Sequence, residues 1–268
     1  RSPRRSSTVD RTIVGRKTGW IKDYRLCIAD DDIKGSKKNE FKPHRTEYWK
    51  IPPKHCAEFE AHMEDVLSVY HKAYDPEYPV VCMDESSKQL IKEVREPLKA
   101  RPGSIEKIDD EYIRKGVAEI FIAVEPLGNH RKVWLNPTRT SKDWAEFIKQ
   151  IVDDYPQAKK VILVMDNLNT HKMSSLYQAF SPEEAYRIAS KLEIHYTPRH
   201  GSWLNIAEIE LSVLKSQCLS RRIPTMTLMK KYVKQWEDKR NQRKKNGVSW
   251  QFTTENARIK LKHLYPVL

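Results

Sequence analysis

The stretch KVILVMD, residues 160–166, is an unbroken apolar run that ends in a carboxylate. Apolar runs of this kind are typical of strands that are buried on both faces of a sheet. A predicted helix precedes it, capped by Thr140 or Ser141, with an apolar face made by Trp144, Phe147, Ile148, Ile151 and Val152. A helix that leads directly into a buried strand predicts an α/β fold.

Shorter apolar runs flank this stretch on both sides. The predicted strands before it are PVVCMD at 79–84, AEIFIAV at 118–124 and RKVWL at 131–135, and the Gly128-Asn129 turn joins the last two as a hairpin. After it come a helix with Ser181 as N-cap, the strand EIHYTP at 193–198, the helix WLNIAEIELSVLKSQCL at 203–219 and two closing helical patterns. Hairpin strands followed by β-α-β units indicate a mixed sheet covered by helices.

The 268-residue chain carries a formal net charge of +13. A positive field of this size concentrates polyanions, and nucleic acid is the commonest partner of such a field. An acidic lipid surface is the competing interpretation, but the sequence has no run of about 18 apolar residues and no basic amphipathic anchor. The four cysteines form no CxxC pair, which argues against a zinc ribbon and favours reduced thiols in the cytoplasm.

Composition divides the chain into three predicted regions. Residues 1–50 lack a sustained helical period and indicate a basic arm or linker, or the remnant of a DNA-binding region. Residues 51–78 contain an amphipathic linker helix that follows two prolines, and residues 79–268 form the α/β domain.

Two acidic residues are predicted to stand at the ends of buried strands. Asp84 follows PVVCM, and Asp166 follows KVILVM. Ligands of α/β sheets bind beyond the strand ends, although a single Asp in that position is more often a turn or cap residue. A magnesium ion is held by a few carboxylates together with phosphate and water, so the pair needs a third carboxylate.

Three ordered sequence blocks surround these acids. VVCMDESSKQ, VILVMDNLNTHK and TPRHGSWLNIAEIE, preceded by EYWKIPP, resemble the signature blocks of D-D-E transposases of the mariner superfamily, in the branch found in bacterial insertion sequences. The resemblance covers about Phe41 to the C-terminus. It departs from the family pattern at Ile206, where a proline usually follows the Asn, and in the region before Phe41.

The resemblance implies a ribonuclease H-like catalytic domain that cleaves DNA and transfers strands. The family's catalytic and metal-binding acids then fall on Asp84, Asp166 and Glu208, which would hold two magnesium or manganese ions. The implied partners are transposon terminal repeats and target DNA. A homodimer in the active complex, no membrane association and a location on the nucleoid in the bacterial cytoplasm are also expected.

Glu210 competes with Glu208 for the third position. The two residues are two positions apart on one predicted helix, which separates their directions by about 200°, so only one of them faces the metal. Periodicity alone leaves both open. The LN-x-x-E block selects Glu208.

Several further residues are candidates for DNA contact. Asn167 and His171 lie in the second block, where the alternative is a turn former and a surface residue, and Trp203 either contacts DNA or packs a loop. A basic stripe is the third candidate, unless it is only a solvated helix face. Its members are Lys230, Lys231, Lys234, Lys239, Arg240, Arg243, Lys244 and Lys245.

Two other functions remain open at the level of sequence. A catalytically silent or truncated transposon-derived DNA-binding protein would also be basic, and residues 1–50 show none of the helix-turn-helix modules with which these transposases normally begin. A ribonuclease H-like nuclease without strand transfer is the other. The presence of all three acids argues against the silent protein.

Overall fold

The computed structural model describes residues 56–168, 171–242 and 248–266. The predicted N-terminal arm over residues 1–50 therefore lies outside the described residues. The free cysteines among the described residues are Cys56, Cys82 and Cys218. No helix within the described ranges is long and apolar enough to cross a membrane.

A five-stranded mixed sheet organises the domain, in the order β3-β2-β1-β4-β5. The strands are β1 (Val80–Glu93), β2 (Tyr112–Glu125), β3 (His130–Asn136), β4 (Val161–Met165) and β5 (Leu192–Tyr196). The first three pair antiparallel, whereas β4 pairs parallel with both β1 and β5. The predicted mixed α/β sheet is confirmed, and so is the hairpin turn before β3, where Asn129 has a positive φ of 58°.

Seven α-helices occupy the described ranges. They are α1 (Ala57–Tyr70), α2 (Ser141–Asp154), α3 (Ser174–Ala179), α4 (Pro182–Lys191), α5 (Ile206–Gln217), α6 (Met226–Asn241) and α7 (Thr254–Lys260), with 3-10 turns at Ser202–Leu204 and Lys262–Leu264. Two predicted caps are confirmed. The Thr140 side chain forms a capping box with Asp143, and Ser181 accepts a hydrogen bond from the backbone of Glu184.

The two faces of the sheet carry different helices. Val81 and Met83 of β1 and Leu163 of β4 belong to a buried core together with Trp144 of α2 and Ile188 of α4. The alternate residues face the other way. On that side the hydroxyl of Tyr70 in α1 lies 3.5 Å from Sγ of Cys82, and α5 packs against β1 and β2.

Strands β1 and β2 are longer than the sequence predicted. The predicted apolar runs ended at residue 84 in β1 and began at residue 118 in β2, but cross-strand pairing continues to Glu93 on β1 and begins at Tyr112 on β2. Those outer segments are largely polar and partly exposed, so hydrophobicity could not mark them. Asp84 was predicted to stand at a strand end; it instead lies within β1.

Candidate active site

Two carboxylates lie side by side where the pairing between β1 and β4 ends. The parallel pairing of these strands runs from Val80 with Ile162 to Cys82 with Val164, and no pair follows. Continued in the same register, Asp84 and Asp166 each lie two residues beyond the last pair. Side chains two residues apart on a strand share a face, so both acids lie on the side of the sheet that carries α5.

Asp84 lies in a carboxylate-rich and half-buried environment. Burial raises the pKa of Asp84 to about 7, and the nearby negative charges of Asp166, Glu208 and Glu85 act in the same direction. The backbone N–H of Glu85 opposes the rise by donating to Oδ1 of Asp84 over 2.8 Å. Clustered carboxylates that resist ionisation are characteristic of sites that are completed by a cation.

Asn205 fixes the start of α5 beside Asp84. Its side-chain oxygen caps the helix by accepting from the N–H of Ala207 at 3.1 Å, and its Nδ2 donates to the carbonyl of Met83 at 2.8 Å. Glu208 follows in the first turn of α5. Asn205 is buried, and in the sequence only its place in the LN-x-x-E block distinguishes it.

Glu208 and Glu210 have separate surroundings. Oε2 of Glu208 is buried and has no hydrogen-bond partner within the part of the chain that the structure describes. Oε1 of Glu210 instead accepts from Nη2 of Arg131 at 3.0 Å and from Nε of Arg131 at 3.2 Å, and it also binds Arg240. Oε2 of Glu210 is likewise buried without a hydrogen-bond partner among the described residues, so the difference lies in Oε1 of Glu210, which belongs to a buried ion cluster that links β3, α5 and α6.

His171 is buried, contrary to its predicted role as a DNA contact. Its exposed fraction is 1%, which leaves no surface for a phosphate. Nδ1 lies 2.7 Å from Oδ1 of Asp166, and Nε2 lies 3.0 Å from Oε1 of Glu85. Burial lowers the pKa of His171, but the hydrogen bonds to the two carboxylates outweigh it and raise the pKa to about 9.

Trp203 and Asn167, the other two candidates for DNA contact beside the acids, differ in exposure. Trp203 is 4% exposed and packs edge-on against Phe252 at 6.1 Å, so the loop-packing alternative describes it better than base stacking. Asn167 is exposed directly beside Asp166 and is accessible to DNA.

The basic stripe on α6 is only partly free for DNA. Lys230, Lys231 and Lys234 are exposed and lie within an arc of about 100° around the helix. Nζ of Lys234 is 2.8 Å from Asp238, and Lys239 is exposed on another side of the helix. Arg240 turns inward to the Glu210 cluster. Arg243, Lys244 and Lys245 lie outside the described residues.

The acids fit a divalent cation in chemistry but are not arranged as a finished site. Among the described residues, no group of three histidine, cysteine or acidic side chains has the spacing of a metal centre. Oδ1 of Asp166 is engaged by His171. Oε2 of Glu208 nevertheless has no hydrogen-bond partner among the described residues, and the carboxylates around Asp84 help to raise its pKa, so a bound cation would relieve the repulsion between these acids.

Comparisons with known proteins agree with this geometry. Residues 79–230 match the sequence profile described as DDE superfamily endonuclease. A search of curated proteins finds no match. The fold is similar to that of the Mos1 transposase paired-end complex with left transposon end, with 14% identity and a TM-score of 0.51 over 91% of this chain and 69% of that one. The Mos1 strand transfer complex gives 14% identity and a TM-score of 0.50 over 85% and 66%.

Proposed function

The chain belongs to the DDE superfamily endonuclease family, and from this premise we propose that it is the catalytic part of a DNA transposase. It would cut DNA strands at transposon ends and join them to target DNA. Two of the solved structures that it resembles are a paired-end complex and a strand transfer complex. A ribonuclease H-like sheet with an acidic split between β1 and β4 supports the same chemistry.

The proposed catalytic residues are Asp84, Asp166 and Glu208. The observation that carries this assignment is the register of β1 with β4, which places Asp84 opposite Asp166 when it is continued by two residues. The Asn205 contact with Met83 then holds the start of α5, and with it Glu208, close to these acids. We propose that the three carboxylates hold two divalent ions, magnesium or manganese. Ions bound there would stabilise charge on the attacking and leaving oxygens of an in-line displacement.

The protein's own residues would prepare this site in three ways. Asn205 joins α5 to β1, so that Glu208 and Asp84 keep their separation. The Glu210 cluster sets the rotation of α5, because Arg131 and Arg240 hold Glu210 on the opposite side. His171 holds Oδ1 of Asp166. No covalent enzyme intermediate is required, since the carboxylates act through the bound ions.

We propose DNA as the partner, as terminal repeats and as target, and a homodimer in the active complex. Asn167, Lys230, Lys231 and Lys239 are exposed and are the proposed phosphate contacts within the described residues. A location on the nucleoid of a bacterial cytoplasm would follow from this activity.

A cleavage and strand-transfer assay with the element's own DNA ends tests the proposal. The wild-type chain should cut these ends and join them to a target plasmid in Mg²⁺ or Mn²⁺, and Asp166→Asn should do neither. Asp153→Asn is a matched control, since Asp153 lies in α2 and pairs with Arg187. DNA binding without cleavage would indicate the silent DNA-binding protein, and cleavage without joining would indicate a simple nuclease.

A further inference from the structure

A continuous chain of side-chain contacts leads from the candidate metal site to the opposite face of the sheet. Nδ1 of His171 lies 2.7 Å from Oδ1 of Asp166 as an ion pair and forms a hydrogen bond with the backbone carbonyl of the same residue at 3.1 Å. Nε2 of His171 contacts Oε1 of Glu85 at 3.0 Å. Oε2 of Glu85 lies 3.5 Å from Nε of Arg139. This series of contacts thus joins two carboxylates, one imidazole and one guanidinium.

The middle of this chain is rigidly enclosed. The side chains of His171 and Glu85 are 1% and 2% exposed, respectively. The imidazole stacks on the indole of the fully buried Trp144, with centroids 5.7 Å apart and planes 22° from parallel. Stacking fixes the plane of the ring, and the Glu85 contact fixes its rotation within that plane.

Glu85 lies next to Asp84 but cannot serve the same site directly. Successive side chains on a strand point to opposite faces, so Glu85 lies on the α2 side, where Trp144 is. Asp84 lies on the α5 side. Asp166 lies just beyond the end of β4, and His171, which stacks on Trp144, contacts it from the α2 side.

We propose that Glu85 is a positioning residue that acts through His171 to hold the carboxylate of Asp166 in place for metal binding. This inference rests on the proposed function of Asp166. Partners that hold a metal-binding carboxylate or imidazole typically contribute about 10–100-fold to metal affinity or activity. Arg139, which is 43% exposed, supports Glu85 from outside the core.

Glu119 provides a matched control. It lies on β2, its Oε2 is 3.9 Å from Nε of Arg139, and it accepts a hydrogen bond from Ser87 at 2.6 Å. It shares a partner with Glu85 and has no described contact with His171. Glu119→Ala therefore removes a carboxylate from the same neighbourhood and leaves the contact chain to Asp166 intact.

The experiment measures metal binding in two ways on wild type, Glu85→Ala, His171→Ala, the double variant and Glu119→Ala. The first readout is the Mg²⁺ concentration that half-saturates the rise in melting temperature without DNA. The second is the Mg²⁺ concentration that gives half-maximal cleavage. Glu85→Ala should raise both concentrations by about 10–100-fold, and Glu119→Ala should change neither. Glu85→Gln, which keeps the side-chain volume, carries the test if Glu85→Ala does not fold.

The double variant separates positioning from simple loss of charge. If Glu85 acts through His171, the double variant should need no more Mg²⁺ than His171→Ala alone. Additive effects would overturn the proposal, and so would wild-type Mg²⁺ requirements in folded Glu85→Ala. A wild-type protein that neither cleaves DNA nor responds to Mg²⁺ or Mn²⁺ would contradict the proposed function and this inference with it. An active wild type together with a Glu85→Ala variant whose Mg²⁺ requirement is unchanged would contradict this inference alone.

Discussion

Glu208→Gln and Glu210→Gln should have opposite effects, although the two residues are neighbours on α5. Glu210 is buried in the ion cluster with Arg131, which is 0% exposed, and Arg240. Glu208 has a buried oxygen without a partner and lies near Asp84. Glu210→Gln removes negative charge that Arg131 and Arg240 balance, whereas Glu208→Gln removes negative charge that the neighbouring carboxylates repel.

The magnitude for Glu210→Gln follows from the burial of its partner. Gln keeps the volume, so no cavity forms, but the guanidinium of Arg131 loses the negative charge of Glu210 in the interior. Removing one partner of a buried pair costs about 3–5 kcal/mol, and the lower value applies because the Gln oxygen still accepts a hydrogen bond. A domain of this size loses about 2–4 °C per kcal/mol, so the melting temperature should fall by about 6–12 °C.

Thermal melting without metal, followed by cleavage assays at a temperature where every variant is folded, measures both effects. Glu210→Gln should melt earlier and still cleave DNA in saturating Mg²⁺. Glu208→Gln should melt at or slightly above the wild-type temperature and should be inactive.

The reasoning would be refuted by a reversed pattern. Inactive but stable Glu210→Gln together with active Glu208→Gln would move the metal ligand by two residues along α5. An unchanged melting temperature for Glu210→Gln would show that the Arg131 cluster contributes nothing to stability.

Three further predictions concern the metal and DNA. Asp84→Ala and Asp166→Ala should each abolish Mg²⁺-dependent cleavage in a plasmid assay while circular dichroism shows an intact fold; robust activity in either would contradict the site. Millimolar Mg²⁺ should raise the melting temperature by mass action, and the rise should be smaller in Asp166→Asn. The rise should also be larger at pH 8 than at pH 6, because the pKa of Asp84 is raised to about 7 and its carboxyl group must lose its proton to bind the ion. Equal rises at the two pH values would exclude Asp84 as a ligand. DNA affinity should fall steeply as the salt concentration rises. In a competition titration, the affinity for a terminal-repeat duplex should exceed that for a scrambled duplex by less than about 1,000-fold, since phosphate contacts by Lys230 and Lys231 carry no sequence information. A larger preference would indicate that residues 1–50 recognise a DNA sequence.

The sequence by itself determined the family, the mixed sheet and most of the elements. Period and caps were sufficient because they are local: the apolar face of α2, the buried run of β4 and the Ser181 cap each depend on residues close in the chain. The three acids could be proposed because the surrounding blocks are recognisable. Their role as metal ligands stays a prediction.

Only the tertiary structure decided which side chains meet. His171 looked like a surface histidine after a strand, but Glu85 and Trp144, from distant parts of the chain, enclose it. The helical period did not distinguish Glu210 from Glu208 as the third metal ligand. In the structure Glu210 forms an ion pair with the buried Arg131 on β3. Burial and ion pairing between distant elements depend on how the sheet and helices pack, and no local pattern of residues records that packing.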